Sequence, residues 1–323
     1  MTRAAIGSPK VIGTCWPRER SFCMNGQISN KAQLASIRRY ILTEGSEKGL
    51  EVLDCDNGKL RFLLNVSKAL DMMQLYYKGE NLSFVSKNGF TAREIPFARR
   101  FEGGMLYTCG LDSVGGREGH ELHGNLHNTP ARVTAAVCDE TGIRIEAEIR
   151  STALFGENLL LKRRISCPVQ GDTVLLEDTL CNEGYLPAEY ALLYHVNLGY
   201  PMLCEGGRVE TDAAECRPRT PWSAEKQAEW LQITAPLPGQ EENCYFLALR
   251  EPRATLVRPD GRSFTLSYSG DTLPHFIEWK SMASGDFALG FEPCTTFLDD
   301  EFAYRSLAPG EAVSFRLSFE AKN

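Results

Sequence analysis

Apolar and polar residues alternate along much of this chain. Every odd position of 143–150 is apolar and every even position is charged, and 264–268 and 313–319 alternate in the same way. This period of two is typical of β-strands that bury one face. Further apolar runs that favour strands lie at 132–138, 159–166, 173–180, 190–198, 245–250, 254–258 and 287–291.

Turn residues separate several of these runs. Asn57-Gly58 lies between the apolar runs 50–53 and 60–66, and Asp260-Gly261 follows Pro259 between 254–257 and 264–268. Such dipeptides favour tight β-hairpins because both residues tolerate positive φ. Helical signals are few: Ser29 is a candidate cap for a short helix around 30–34, and 224–231 predicts a helical turn.

The predicted fold is all-β, a sandwich or barrel, because roughly 15 or more short strands recur at regular spacing. No Gly-, Ser- or Pro-rich linker divides the chain. We therefore expect one domain over residues 1–323, in which 1–45 form an N-terminal extension and the first strands.

Composition narrows the classes of function. The 323 residues carry 35 Lys and Arg against 42 Asp and Glu, a net charge of −7, which argues against a nucleic-acid partner. The 11 Cys include no C-x-x-C pair. The apolar stretch 190–204 is too short and too polar to span a membrane, and 1–26 lacks the apolar core of a signal peptide. A cytoplasmic protein without a membrane partner is expected, and its oligomeric state stays open.

The run 190–198 predicts a central strand with polar side chains on one face. His195 and Asn197 are two residues apart and therefore share that face. Buried polar side chains need partners or a ligand. His195 is then either a hydrogen-bonded core histidine or a group that faces a ligand.

A second strand, 287–293, ends in a carboxylate. Phe287, Leu289 and Phe291 form its bulky face, whereas Ala288, Gly290 and Glu292 share the other. The two small residues leave space beside Glu292. Partial burial there should raise the pKa of this carboxyl and make it a usable base near neutrality.

Three of the five histidines, His120, His123 and His127, fall within eight residues. Their spacing differs from the H-E-x-x-H zinc motif, and neighbouring glycines favour a loop. A polar loop beside a cleft is the favoured interpretation, and a metal site is the minor alternative. The chain also lacks G-x-G-x-x-G and G-x-S-x-G. These groups suit acid–base chemistry on a neutral, hydroxyl-rich molecule.

These segments resemble those of the aldose 1-epimerase (galactose mutarotase)-like superfamily, and in particular an uncharacterised bacterial branch of it. The resemblance covers about residues 50 to 320. It lies in 122–124, 193–201 and 289–293, and in the branch-like segments 103–112, 128–131 and 276–280.

The resemblance implies a β-supersandwich and an isomerase that interconverts sugar anomers without a cofactor or metal. It implies that Glu292 is the general base, that His195 is the general acid and that His123 holds the sugar. The expected substrate contacts are Lys68, Asp71, Asn128, Asn197 and Lys280.

Two positions depart from the family pattern. Lys68 stands where an arginine is frequent in the run 67–71, and Asn125 stands where an arginine often follows His-Gly. Both departures leave open which sugar is the substrate and whether the site only binds it. A carbohydrate-binding protein without activity, or another carbohydrate-active enzyme on the same fold, are the alternatives, since a fold does not fix function.

Overall fold

The computed structural model describes residues 26–323. The all-β prediction is confirmed, with eighteen strands and two short α-helices in that part of the chain. The helices are α1 (Phe97–Arg100) and α2 (Pro221–Glu225). The strands are β1 (Ser36–Ile41), β2 (Glu51–Asp56), β3 (Leu60–Asn65), β4 (Asp71–Tyr77), β5 (Glu80–Asn81), β6 (Leu106–Leu111), β7 (Arg132–Cys138), β8 (Gly142–Thr152), β9 (Asn158–Pro168), β10 (Thr173–Asn182), β11 (Ala188–Leu198), β12 (Arg208–Pro218), β13 (Asn243–Val257), β14 (Ser263–Tyr268), β15 (His275–Ala283), β16 (Asp286–Cys294), β17 (Arg305–Leu307) and β18 (Ala312–Lys322).

The strands form two antiparallel sheets of unequal size. The small sheet is a meander of β1 to β5 in sequence order. The large sheet has thirteen strands, with the order β17-β11-β16-β15-β13-β14-β18-β10-β9-β8-β7, and β6 and β12 pair with β11 and β13. Strand β11 therefore has neighbours on both sides, as its apolar sequence predicts.

Strand alternation explains the core. In β8, Ile143, Ile145 and Ile149 are fully buried, whereas the intervening Arg144 is exposed. Their face packs in one hydrophobic core with residues of the small sheet such as Leu64. Burying a side chain of this size contributes about 1.5–3 kcal/mol. The alternating segments thus hold the two sheets together.

Both predicted hairpin turns are confirmed: Asn57-Gly58 joins β2 to β3, and Asp260-Gly261 joins β13 to β14. In the first turn, the side-chain oxygen of Asn57 accepts from the backbone amides of Lys59 and Leu60. Gly58 has φ +85°, and a Cβ there would lie 2.9 Å from the backbone carbonyl oxygen of Leu34. This position requires glycine for both reasons.

Three details differ from the sequence-based expectations. The runs 245–250 and 254–257 belong to the single strand β13, because the exposed residues between them stay in the strand, with shifts of register in β12 opposite them. The first helical turn spans Lys31–Gln33, and Asn30 caps it instead of Ser29. The predicted turn at 224–231 is split into α2 and the short 3-10 turn Gln227–Glu229.

The N-terminal expectations are tested only in part. The first strand from residue 26 onward begins at Ser36, within the predicted extension. The signal-peptide expectation rests on the segment 1–26, nearly all of which lies outside the described residues. No helix from residue 26 onward has the length and apolar character needed to cross a membrane.

Candidate functional site

Three adjacent strands carry the site. In the antiparallel register, β11 places His195 opposite Tyr107 of β6. On the other side of β11, Leu193 pairs with Cys294 and Val196 with Phe291, so His195 lies opposite Glu292 of β16. Directly paired residues share a face of the sheet. Two strands that are distant in sequence therefore bring this histidine and this carboxyl together.

The His195–Glu292 pair is in close contact and almost sealed from solvent. Nε2 of His195 lies 3.1 Å from Oε1 of Glu292, and the two side chains are 6% and 2% exposed. The contact does not have hydrogen-bond geometry, so Oε1 of Glu292 and Nδ1 of His195 are both buried without a hydrogen bond among the described residues. Unsatisfied buried polar atoms are costly, and they are common where a ligand completes the site.

Burial shifts both pKa values. It lowers the pKa of His195 to about 3, and the neighbouring His123 lowers it further. It raises the pKa of Glu292 to about 8, with a further upward effect of Glu242 and an opposing effect of Arg219. The upward shift expected for Glu292 is therefore present. At neutral pH the pair holds one proton, which resides on Glu292.

His123 completes the group from a loop. Its φ of +65° is uncommon for a residue with a side chain. The loop is held by backbone hydrogen bonds from His123 N to Gly115 O and from Gly110 N to His123 O. The ring lies 5.8 Å from that of His195, edge to face. Burial lowers the pKa of His123 to about 4, so it is neutral at physiological pH.

The tautomer of His123 follows from a contact on its own loop. The amide of Gly115 donates to Nδ1 at 3.4 Å. A neutral imidazole that accepts at Nδ1 carries its proton on Nε2. His123 is therefore a hydrogen-bond donor at Nε2.

Aromatic rings flank the pair. The ring centroids of Phe101 and Trp279 lie 5.7 and 5.4 Å from that of His195. The indole Nε1 of Trp279 donates to Oε2 of Glu242 at 2.8 Å, which fixes the indole. Aromatic faces beside polar groups suit a ligand with apolar C–H and polar O–H surfaces.

The hollow that the small residues beside Glu292 predict is filled by protein side chains, and Gly290 gives them their space. A Cβ at this position would lie 2.9 Å from Oε1 of Glu292, 3.0 Å from Cε1 of His195 and 3.2 Å from the Trp279 ring. The space above the glycine is thus occupied by the site residues themselves.

Lys68 and Asp71 lie in a buried chain of alternating charges, which we call the charge chain. Its members in spatial order are Lys68, Glu102, His127, Asp71, Arg163 and Asp178. The successive N···O distances are 3.3, 3.0, 2.7, 2.6 and 2.7 Å. Tyr194 closes it by donating to Asp178 at 2.8 Å.

The members of the charge chain stabilise each other's charged forms. Burial alone would lower the pKa of His127, but Glu102 and Asp71 outweigh it and raise that pKa. Burial alone would raise the pKa of Asp71, but His127 and Arg163 outweigh it and lower that pKa. The three cations and three anions therefore balance.

Two of the expected sugar contacts, Lys68 and Asp71, are members of the charge chain. The side chains of Lys68 and Asp71 are 6% and 2% exposed, and protein groups take up their charges. Their nearest link to the site is indirect: Asp71 contacts His127, His127 stacks on Tyr107 at 3.7 Å, and Tyr107 lies opposite His195 on the neighbouring strand. The structure therefore does not bring Lys68 or Asp71 to the His195–Glu292 pair.

Lys280 is also separated from the pair. On β15, Ile277 and Trp279 share the face of Glu292, so Lys280 points to the opposite face. Its ammonium donates to the backbone carbonyls of Glu229, Trp230 and Gln232. The expectation that Lys280 lies beside the sugar conflicts with this register.

The two predicted asparagines differ in their placement. Asn197 shares the face of His195, and its amide nitrogen donates to the carbonyl of His195 at 3.0 Å. Its buried side-chain oxygen has no partner among the described residues. Asn128 lies in the 3-10 turn Leu126–Asn128, and its Nδ2 likewise lacks a partner within that part of the chain. Asn197 therefore borders the site directly.

The three clustered histidines diverge. His120 approaches Asp112, His123 joins His195, and His127 is buried in the charge chain. Within residues 26–323 no group of three or more His, Cys, Asp or Glu side chains has a metal-binding arrangement.

Some site residues carry no sequence signal of their own. Arg219 is exposed just beyond the end of β12, and its charge acts on Glu292 and His123. Glu242 precedes β13 and reaches Trp279 only through the register of β13 and β15. Phe101 follows α1. Their roles depend on long-range pairing, which a local pattern does not encode.

A family model matches residues 47–321, and its description is a domain of unknown function (DUF4432). The chain belongs to this family. The match includes every site residue discussed above. A search of curated proteins found no match.

Solved structures share the fold of this DUF4432 member. A structure from Klebsiella pneumoniae, provisionally assigned as an aldose 1-epimerase, has a TM-score of 0.81 at 20% identity, over 90% of this chain and 86% of that one. A galactose mutarotase-like protein from Clostridium acetobutylicum has a TM-score of 0.69 at 13% identity, over 90% and 99%. Another galactose mutarotase-like protein, from Lactobacillus casei, has a TM-score of 0.58 at 14% identity, over 84% and 100%. The chain thus has the galactose mutarotase-like fold, as its resemblance implied.

Proposed function

We propose that this protein is an aldose 1-epimerase, which interconverts the α and β anomers of a sugar by opening and closing its ring. The observation that carries the proposal is the contact of 3.1 Å between His195 and Glu292, with His123 beside them. A base and an acid must reach one substrate for this reaction. The fold neighbours named as aldose 1-epimerases and mutarotase-like proteins support the same chemistry.

The reaction needs one proton on the pair. Glu292 takes the proton of the anomeric hydroxyl, and His195 gives a proton to the ring oxygen, so the C1–O5 bond breaks and C1 becomes a carbonyl. Rotation about C1–C2 exposes the other face of that carbonyl. The ring oxygen then attacks C1 while both groups return their protons in the reverse sense.

The free site already holds that proton, since burial raises the pKa of Glu292 to about 8 and lowers that of His195 to about 3. The proton must pass from Glu292 to His195 before ring opening, over the 3.1 Å between Oε1 and Nε2. A hydroxyl that donates to Glu292 stabilises its ionised form and favours this transfer. Binding of the sugar would therefore prepare the pair.

The surroundings suit a neutral sugar. Trp279 and Phe101 offer aromatic surface to the C–H groups of a ring, and Nε2–H of His123 can donate to a hydroxyl oxygen. Asn197 adds an amide oxygen without a partner among residues 26–323. Lys68 and Lys280 have their charges satisfied within the protein, so neither offers a charge to an anionic sugar.

The test is anomer exchange measured by NMR across a panel of aldoses. We expect Glu292→Gln and His195→Asn each to slow the exchange by about 100-fold or more, the usual contribution of a general acid or base. His120→Asn is the matched control, because this histidine lies outside the pair and should leave the rate unchanged.

Other results would contradict the proposal. Exchange that survives both substitutions would exclude the mechanism. A sugar that binds without exchange would instead favour a carbohydrate-binding protein. A different product formed from a sugar substrate would favour another carbohydrate-active enzyme.

A further inference from the structure

Two neighbouring hairpin tips expose four large apolar side chains, which we call the tip patch. Leu154 and Phe155 lie in the turn between β8 and β9, and Tyr185 and Leu186 lie in the turn between β10 and β11. They are 87%, 101%, 95% and 77% exposed in that order. Isolated exposed apolar residues are ordinary, but four of them on two adjacent turns are typical of an interaction surface.

Hydrogen bonds hold the two tips beside each other. The amide of Glu183 donates to the carbonyl of Asn158 at 2.9 Å, and the side chain of Asn158 donates back to the carbonyl of Glu183 at 3.2 Å. Within the second tip, Asn182 donates to the carbonyl of Leu186 and accepts from the amide of Gly184. The tip patch is therefore ordered before any partner binds, which reduces the entropy cost of association.

The backbone at Phe155 is in a conformation that its side chain does not favour. Its φ is +61°, where glycine and asparagine are preferred. A bulky residue there costs stability, and the ring makes no compensating burial at 101% exposure. An aromatic side chain held in this way indicates a contact made outside this chain.

The size of the tip patch suits a protein interface. An aromatic side chain buries about 150–250 Å² on contact, so Phe155 and Tyr185 together offer about 300–500 Å² before the leucines are added. A standard interface buries about 800 Å² on each partner. The tip patch is thus large enough to form the apolar centre of such an interface, and the polar residues around it would form the rim.

The charges next to the tip patch are complementary to themselves. Arg150 and Glu183 lie 2.8 Å apart, and both side chains are substantially exposed. A two-fold axis that passes between the two groups places the positive group of one copy opposite the negative group of the other. The apolar residues are also divided between the two turns, with one pair on each, so the same rotation can bring unlike pairs together.

We propose that the tip patch is the interface of a symmetric dimer of this chain. Leu154 and Phe155 of one copy pack on Tyr185 and Leu186 of the other, and this contact occurs twice around the axis. Ala188, at the tip end of β11, is seven residues from His195, or about 23 Å at the rise of a strand. The proposed interface is therefore remote from the His195–Glu292 pair.

The first test is the mass of the full chain by light scattering and sedimentation at micromolar concentration. We expect about twice the 36.0 kDa of one chain. The double variant Phe155→Asn, Tyr185→Ser should be a monomer, and asparagine suits the backbone of position 155. Tyr200→Ser is the control, because Tyr200 is also 76% exposed but lies at the opposite end of β11.

A charge exchange tests the symmetry. Arg150→Glu alone makes the rim acidic and Glu183→Arg alone makes it basic, so each variant should dissociate by self-repulsion. Mixing the two variants should restore a dimer, because each copy then faces one of opposite charge. A mixture that stays monomeric while the unmodified chain is dimeric overturns the two-fold arrangement.

Two further outcomes also overturn the proposal. One is an unmodified chain that is monomeric at every concentration. The other is a dimer that the Phe155→Asn, Tyr185→Ser variant leaves intact. Sedimentation of a monomer with phosphatidylcholine–phosphatidylserine vesicles, lost in that variant, would assign the tip patch to a lipid surface instead.

Discussion

His195 and Glu292 show how burial decides the protonation of single residues. The pair retains one proton at neutral pH because burial disfavours both charged forms. Above the pKa of about 8 that burial gives Glu292, this proton is lost and the pair has no acid to offer.

We therefore expect enzymatic anomer exchange to fall as the pH rises through about 8, because the carboxyl then ionises without a proton left for the ring oxygen. NMR exchange rates between pH 6 and 10, corrected for the uncatalysed rate, give the midpoint. A rate that stays constant to pH 10 would exclude the one-proton pair.

The same carboxyl affects stability. The pKa of Glu292 is near 4.5 in the unfolded chain and about 8 in the folded protein. Its contribution to the free energy of unfolding is therefore complete below pH 4.5 and is lost as the pH rises toward 8. Glu292→Gln removes this loss. At pH 8 we expect the variant to exceed the unmodified protein by several kcal/mol in free energy of unfolding, at about 1.4 kcal/mol per pKa unit. Urea unfolding at pH 5 and 8 measures it; equal pH dependence in both proteins would refute the shift.

Gly290 sets the geometry of the pair. An alanine there would push Glu292 and His195 apart, because its Cβ would come within 3.0 Å of both. We expect Gly290→Ala to slow anomer exchange by about 10-fold or more, since catalysis is sensitive to small displacements. Gly116→Ala is the control, since its Cβ would meet only Leu122 at 3.7 Å. Equal rates in the two variants would contradict this role for Gly290.

Sequence reasoning located the residues whose chemistry matches their strand pattern. His195 and Glu292 stood out because a polar group on an apolar strand needs a reason, and their pairing followed from family resemblance. In the sequence, Lys68, Asp71 and Lys280 look equally suitable as sugar contacts. Only the folded structure shows that other protein groups satisfy their charges.

Between elements, the charge chain joins the two sheets. Arg163 of β9 in the large sheet contacts Asp71 of β4 in the small sheet, donates to the carbonyl of Ala69, and pairs with Asp178 of β10. Removing one partner of such a buried pair leaves uncompensated charges.

Arg163→Met should lower the free energy of unfolding by about 3–5 kcal/mol, because Asp71 and Asp178 lose their common cation. Its neighbour Arg164 provides the control, since this side chain is 58% exposed and pairs with exposed Glu146. Arg164→Met should change stability by less than about 1 kcal/mol. Similar losses in both variants, measured by urea unfolding, would show that the charge chain does not couple the sheets.

The elements themselves were largely predictable. Alternation gave β8, β14 and β18, and the Asn-Gly and Asp-Gly pairs gave two hairpins. One failure is β13: its exposed polar middle has no apolar pattern, yet the strand continues through it, with shifts of register against β12 at that point. The division into a five-stranded and a thirteen-stranded sheet depends on pairings between distant segments, which local sequence does not specify.

At the scale of the whole molecule, we propose that the two sheets form one cooperative unit, as the absence of a linker suggested. Their shared core and the charge chain imply that neither sheet is stable alone. Native-state hydrogen exchange should then show the same opening free energy for the most protected amides of β3 and β9. In Arg163→Met both values should fall together. Loss of protection confined to β3 would indicate two separate units.

The charge chain also limits how this protein can evolve. Its three cations and three anions cancel only as a set, so the loss of any one member strands a neighbouring charge in the interior. Single substitutions along it are therefore selected against, whereas coordinated double replacements can persist. In an alignment of DUF4432 members, these six positions should covary. Sequences with a neutral residue in place of Arg163 should also have a neutral residue in place of Asp71 or Asp178.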